Sequence, residues 1–245
     1  MAQQCAICGV QMNVFQSLKL SDGNYICRKT CKKRGLKYLE YHQSDIEQVV
    51  AHNAQVERGN KLWEHYFIPR KKTKQLKKMY PVFVAEDIGL MAVVETRYKF
   101  FLFGKTEHVC VYRIADLYKY DIEKKTTINK GKSTTQYFIR FLFLNVEGLF
   151  TFRKQYSSNQ ACKRLVKYFD TLFGIQKTLG NIANTWSNQM GAMKSIVSTV
   201  KAAASGEGIT EEHMKEVIDT SSIALYGDRT KWIEKADAAL KEFNN

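Results

Sequence analysis

The chain holds no apolar run near the roughly 18 residues that a membrane-spanning helix needs, which excludes a helical membrane protein. Its opening, MAQQCAICGV, has neither the basic segment nor the apolar core of a secretory leader, so no signal peptide is expected. A reducing, cytoplasmic setting follows, in which closely spaced cysteines serve as metal ligands more often than as disulfides. The sequence also lacks a P-loop, a Gly-x-Gly-x-x-Gly turn, a His-Glu-x-x-His helix and a Gly-x-Ser-x-Gly elbow. The adjacent acids Glu86-Asp87 and Glu211-Glu212 have nothing to mark them as a catalytic pair. With no reactive site visible, the expectation is a binding protein and not an enzyme.

Acid is scarce beside base. Against 24 acids stand 38 lysines and arginines, a formal net charge of +14 over 245 residues. Residues 205–245 hold nine acids and five bases, so the first 204 residues carry +18. Two tracts dominate: Arg28, Lys29, Lys32, Lys33, Arg34 and Lys37, then Arg70, Lys71, Lys72, Lys74, Lys77 and Lys78. Such a field draws nucleic acid, anionic lipid or an acidic protein, or it is simply a solvated basic surface.

What is present is a folded chain, 44% hydrophobic and 12% aromatic, too apolar for disorder. Four of its six cysteines fall within residues 5–31. Cys5-Ala-Ile-Cys8-Gly9 has the two-residue gap of a metal knuckle, and Ser21-Asp22-Gly23-Asn24 is the turn of a hairpin whose first arm carries Leu18 and Leu20. The stretch RKTCKKRGLKYLEY is rich in helix formers, so the wider gap between Cys27 and Cys31 reads as one helical turn with Cys27 at its start. Knuckle, hairpin and helix make a zinc-ribbon or treble-clef-like unit. Four thiolates predict one structural Zn2+ on Cys5, Cys8, Cys27 and Cys31, with an iron–sulfur cluster or metal-free thiols as alternatives. Cys110 and Cys162, in apolar surroundings, read as buried small hydrophobes.

Ser44-Asp-Ile-Glu47 reads as a capping box opening a connecting helix that presents Ile46, Val49, Val50 and Val56 and ends near Gly59. His42, His52 and His65 are too loosely spaced for a metal motif and read as surface or packed residues. From Tyr80 the texture is that of short aromatic and β-branched strands, including Pro81–Ala85, Tyr98–Gly104, Val109–Tyr112, Tyr137–Leu144 and Leu149–Arg153. They predict an antiparallel sheet that curls or closes. A helix capped by Ser157 and Gln160 follows, with Leu165, Val166, Phe169, Leu172 and Phe173 as its stripe. Strands then one amphipathic helix is the order of a pleckstrin-homology-like (PH-like) barrel.

Residues 175–203 predict a long helix with a heptad-like seam from Ile175 to Val200. It either packs on its own protein, mediates self-association or partner binding, or lies on a membrane surface. A linker over 203–208 and a mildly acidic helical unit complete the chain.

Two phrases carry a family resemblance: Asp22-Gly23-Asn-Tyr-Ile-Cys27 between the cysteine pairs, and Tyr112-Arg-Ile-Ala-Asp-Leu-Tyr-Lys-Tyr-Asp121 in the strand region. Over residues 1–173 the chain resembles an uncharacterised bacterial and phage family that joins a four-cysteine zinc-ribbon-like domain to a bacterial PH-like domain. The second cysteine pair is wider than the family's, and the helical tail is additional. The family brings no catalytic residues to carry over.

The expected class is α+β: a zinc domain over 1–42, a connecting helix and basic linker over 43–79, a PH-like β domain over 80–174 and a helical region over 175–245. The expected role is an adaptor engaging protein partners or an anionic surface. The alternative is a nucleic-acid binder using tracts 28–37 and 70–78. There Lys29, Lys33 and Lys37 would line one helical face, and Trp63, Tyr66 and Phe67 would be the aromatics at hand for stacking.

Overall fold

The computed structural model describes residues 3–98, 104–129, 132–145, 147–174 and 229–244. Strand β1 (Gln3–Gln4) pairs antiparallel with β2 (Gln11–Met12), and β3 (Ser17–Lys19) with β4 (Tyr25–Cys27). The expected hairpin turn forms: Gly23 takes φ +86°, which suits a residue without Cβ, and Asp22 accepts the Asn24 N–H at 3.1 Å. Leu18 and Leu20 are both buried.

The helix expected from Cys27 onward is a correction. Cys27 closes β4, and α1 is a single turn, Cys31–Arg34, ending at Gly35. Beyond it the backbone of Tyr38 and Glu40 bonds to another strand, while Leu36, Tyr38 and Leu39 are all buried. Tertiary pairing overrides helix propensity here.

The long helix α2 (Ile46–Leu62) is capped one residue later than expected. Asp45 accepts the Gln48 N–H at 2.8 Å and the Gln48 side chain accepts the Asp45 N–H at 3.0 Å, while the Ser44 hydroxyl donates back to Glu40. Nor does the helix end near Gly59. It continues through one wide turn, Trp63–Phe67, into α3 (Ile68–Lys72). Gly59 marks a crossing: a Cβ there would run into the Val109 carbonyl. The expected apolar face is also revised. Val49 and Val56 are buried but Val50 is exposed, and Gln48, His52, Asn53 and Gln55 fill the inward stripe.

Seven strands follow: β5 (Lys77–Met79), β6 (Val82–Ala85), β7 (Leu90–Tyr98), β8 (Lys105–Arg113), β9 (Leu117–Asn129), β10 (Lys132–Asn145) and β11 (Gly148–Tyr156). They form antiparallel sheets in the orders β5-β6-β7-β8 and β11-β10-β9, neither closed. Of the expected strand over 98–104, Tyr98 lies on β7, and residues 99–103 lie outside the described residues. A short 3-10 turn, Ile114–Asp116, makes the corner between the sheets, where Asp116 accepts from Arg113 Nε at 2.8 Å.

Alternation explains the core. Val82, Val84, Met91, Val93, Cys110 and Tyr112 of the first sheet join Ile139, Phe141, Phe143, Phe150 and Phe152 of the second in one cluster, with Tyr112 stacked on Phe143 at 4.1 Å. The opposite face of the first sheet, Phe83, Leu90, Ala92, Val94 and Val109, packs on Leu62, Trp63, Tyr66 and Phe67. Burial on both sides accounts for the near-continuous apolar runs of β6 and β7.

Helix α4 (Asn159–Leu172), capped by Ser158 rather than Ser157, buries Cys162, Leu165 and Phe169 in the core. The last helix, α5 (Thr230–Asn244), is built into the body: Trp232, Ile233, Ala236 and Ala239 are buried, and the Tyr66 hydroxyl donates to Ala239 O at 2.5 Å. The predicted helix over 175–203 and the linker over 203–208 lie outside the described residues.

Candidate metal centre

The four cysteines reach one point from three directions. Cys5 follows β1, and Cys8 sits in the turn that Gly9 closes at φ +70° with its N–H on Cys5 O. Cys27 ends β4, and Cys31 opens α1. Their four Sγ atoms lie within 4.8 Å of one another. Cys5 and Cys31 are 3.7 Å apart, as are Cys8 and Cys27, so none is in a disulfide.

A tetrahedron of thiolates about 2.3 Å from a central ion has edges of about 3.8 Å, so both pairs stand at ligand-to-ligand spacing. The donor set therefore fits one thiophilic metal ion. The Cys27 N–H points at Cys5 Sγ (3.3 Å) and the Cys31 N–H at Cys27 Sγ (3.2 Å). Such donors orient the sulfurs and offset their negative charge.

The same contacts act on the thiols of Cys5, Cys27 and Cys31. Burial pushes the Cys5 thiol up, but the N–H groups of Cys8, Cys27 and Ile7 outweigh it and bring the pKa down to about 6. Cys27 is lowered likewise, burial being outweighed chiefly by the Cys31 and Thr30 N–H groups. Cys31 is raised, first by burial and then by its three sulfur neighbours. A thiophilic cation held by the four sulfurs would favour their thiolate forms.

The interval of four between Cys27 and Cys31 spans a strand end, a turn and a helix start, so the expected helical face of Lys29, Lys33 and Lys37 does not exist. Lys29 is exposed in the turn. Arg28 Nε donates to Ser17 O at 2.7 Å, and the Lys37 amine lies 5.2 Å over the Tyr38 ring. In the second tract Arg70 pairs with Asp87 at 2.7 Å, and Lys71 lies over Trp63. Lys72 and Lys74 are exposed near the end of α3, with Lys74 at φ +60°. Lys77 and Lys78 stand on β5, an edge strand that lysines protect from pairing with other chains. Trp63, Tyr66 and Phe67 are buried and cannot stack on bases.

The decisive neighbours of the centre escaped sequence reasoning. Glu95 on β7 accepts the Lys37 N–H at 2.6 Å and Arg97 Nε at 2.7 Å, and Arg97 donates onward to Lys33 O and Gly35 O. On the other side Glu40 N–H donates to Thr151 O and Arg153 N–H to Tyr38 O, both at 2.8 Å, adding residues 38–40 to β11. The segment leaving the cysteines is thus bonded to both sheets. One signal was legible: a lone Glu-x-Arg inside the apolar run of β7.

His52 completes the join. It is fully buried, its Nε2 accepts the Leu36 N–H at 2.9 Å, and its Nδ1 faces Cys110 Sγ at 3.5 Å. Burial lowers its pKa to about 3, so the ring is neutral. A Cβ on Gly35 would meet Tyr41 Oη at 2.6 Å and His52 Cδ2 at 2.7 Å, which fixes glycine where the metal module touches α2. His42 and His65 are exposed, and Cys110 and Cys162 are buried core residues. No helix among the described residues is long and apolar enough to cross a membrane. No protein-family model, curated protein or solved structure matches the chain.

Proposed function

We propose that the chain is a non-enzymatic adaptor of the cytoplasm, in which one structural Zn2+ on Cys5, Cys8, Cys27 and Cys31 holds a binding module against a PH-like body. The observation that carries this reading is the closed donor set. Four sulfurs within 4.8 Å of one another, with two pairs at 3.7 Å, would fill every position of a tetrahedral zinc ion and leave none for a substrate. Two backbone N–H donors at the sulfurs fit a structural site. The PH-like reading is supported by four and then three consecutive antiparallel strands followed by a helix packed on the second sheet. It agrees with the family resemblance drawn from residues 22–27 and 112–121. The working surface is the basic, acid-poor exterior of the N-terminal module, which suits an anionic surface or an acidic protein.

The test is elemental analysis of full-length protein purified without added metal. One zinc per chain, lost when Cys31 is replaced by Ser and kept when Cys162 is replaced by Ala, is the expected result. Clearly less than one zinc, or an iron–sulfur absorption band, would overturn it.

A further inference from the structure

We propose that the tip of the metal module docks on an anionic phospholipid bilayer, with Val14 and Phe15 entering the interface and Arg28 and Lys29 meeting the headgroups. This deepens the adaptor reading by naming its surface. It relies on the zinc reading only for the fold of the module.

Seven large apolar side chains are exposed among the described residues, and three of them, Val10, Val14 and Phe15, lie within one six-residue stretch. Phe15 is 91% exposed and Val14 64%. The stretch is shaped rather than collapsed. Asn13 accepts the Gln16 N–H at 3.0 Å, Gln16 accepts the Asn13 N–H at 3.3 Å, and none of Val14–Gln16 is buried. A fixed turn presenting phenylalanine and valine to water carries a standing hydrophobic cost that a partner would relieve.

The surroundings of the tip give the partner its chemistry. The Arg28 N–H donates to Gln16 O at 2.9 Å, which sets the Arg28-Lys29-Thr30 turn beside Phe15. Residues 3–39 hold seven lysines and arginines against one acid, Asp22. That carboxylate is occupied by Asn24 and by the Ile46 N–H. The module therefore carries a net +6, or +4 with four thiolates around a divalent ion.

An exposed aromatic and aliphatics beside a basic turn is the composition of an interfacial anchor, in which apolar tips enter the headgroup boundary and cations hold the anionic surface. Nucleic acid would use the same charge but not the valines, which have no ring face to offer a base.

Sedimentation of the full-length, zinc-loaded chain with two kinds of vesicle tests the idea: pure phosphatidylcholine, and phosphatidylcholine with roughly 30% phosphatidylserine. Binding to the anionic vesicles only, weakened by salt, is expected. Phe15→Ser should cut the bound fraction about tenfold or more while keeping one zinc per chain and the wild-type circular dichroism. Phe15→Trp should gain emission that brominated lipid quenches, a signal no purely structural role produces. The proposal is overturned if the zinc-loaded chain stays in the supernatant, if Phe15→Ser binds like the parent, or if the chain shifts duplex DNA but ignores vesicles. A zinc-free chain that still binds through Phe15 would sink the metal reading and leave this one standing.

Discussion

The carboxylate of Glu95 accepts the backbone N–H of Lys37 at 2.6 Å across 58 residues of sequence. Through that bond and those of Arg97, the chain leaving the cysteine cluster is held to the first sheet. The bonds of Tyr38 and Glu40 hold it to β11. The metal module is therefore not a bead on a linker, and a change at the cysteines reaches the β body through residues 33–40.

Replacing Glu95 by Ala removes the acceptor of the Lys37 N–H and of Arg97 Nε, while Arg97 keeps Lys33 O and Gly35 O, and should cost about 2–4 kcal/mol by urea unfolding at neutral pH. Burial acts to raise this carboxyl, but the Arg97 guanidinium and the Lys37 N–H outweigh it and hold it below the ordinary value of 4.5. A depressed carboxyl stabilises the fold above its unfolded pKa. The contribution is thus complete above pH about 4.5 and fades as pH falls through the folded value. Glu95→Gln should flatten the stability profile in that acid window; an unchanged profile would remove Glu95 from the join.

His52 governs a higher window. Its pKa falls from 6.5 to about 3, so between those values the unfolded chain binds the proton and the folded chain does not. Stability should decline as pH drops below 6.5, by up to about 1.4 kcal/mol per pH unit. His52→Gln can still accept from Leu36 but cannot take a proton. Unfolding at pH 7 and pH 5 should show a smaller difference for the variant than for the parent.

Stripping the metal should be felt beyond the module. The Arg153 amide bonds to Tyr38 O, so its exchange reports whether residues 38–40 remain on β11. Chelation is expected to speed exchange throughout residues 3–40 and at Arg153, while Phe141 and Phe143 in β10 stay protected. Equal protection at Arg153 with and without metal would separate the module from the body.

Gly59→Ala should separate α2 from β8, because the added Cβ would strike the Val109 carbonyl and no flexible side chain is there to yield. A loss of about 2 kcal/mol or more is expected in thermal or urea unfolding. A neutral result would mean that the crossing opens freely.

Local chemistry wrote much of this protein legibly. Asp22-Gly23 makes its turn because only a residue without Cβ takes that backbone conformation easily. Cys5 and Cys8 face one point because a two-residue gap closed by Gly9 leaves them little choice. Each of the two helix caps falls one residue beyond the first candidate, since Ser44-Asp45 and Ser157-Ser158 offer two good caps in succession and only packing chooses between them.

The sequence by itself determined the spacing within each cysteine pair, the alternation of strands and the amphipathic helix that follows them, because each depends on neighbours a few residues apart. Tertiary structure alone decided that RKTCKKRG stops after one helical turn, that a lone Glu-x-Arg binds the module to the body, and that the stacking aromatics are buried while Phe15 is not. Those outcomes turn on groups tens of residues apart competing for the same hydrogen bonds and the same apolar cover, which no local pattern records.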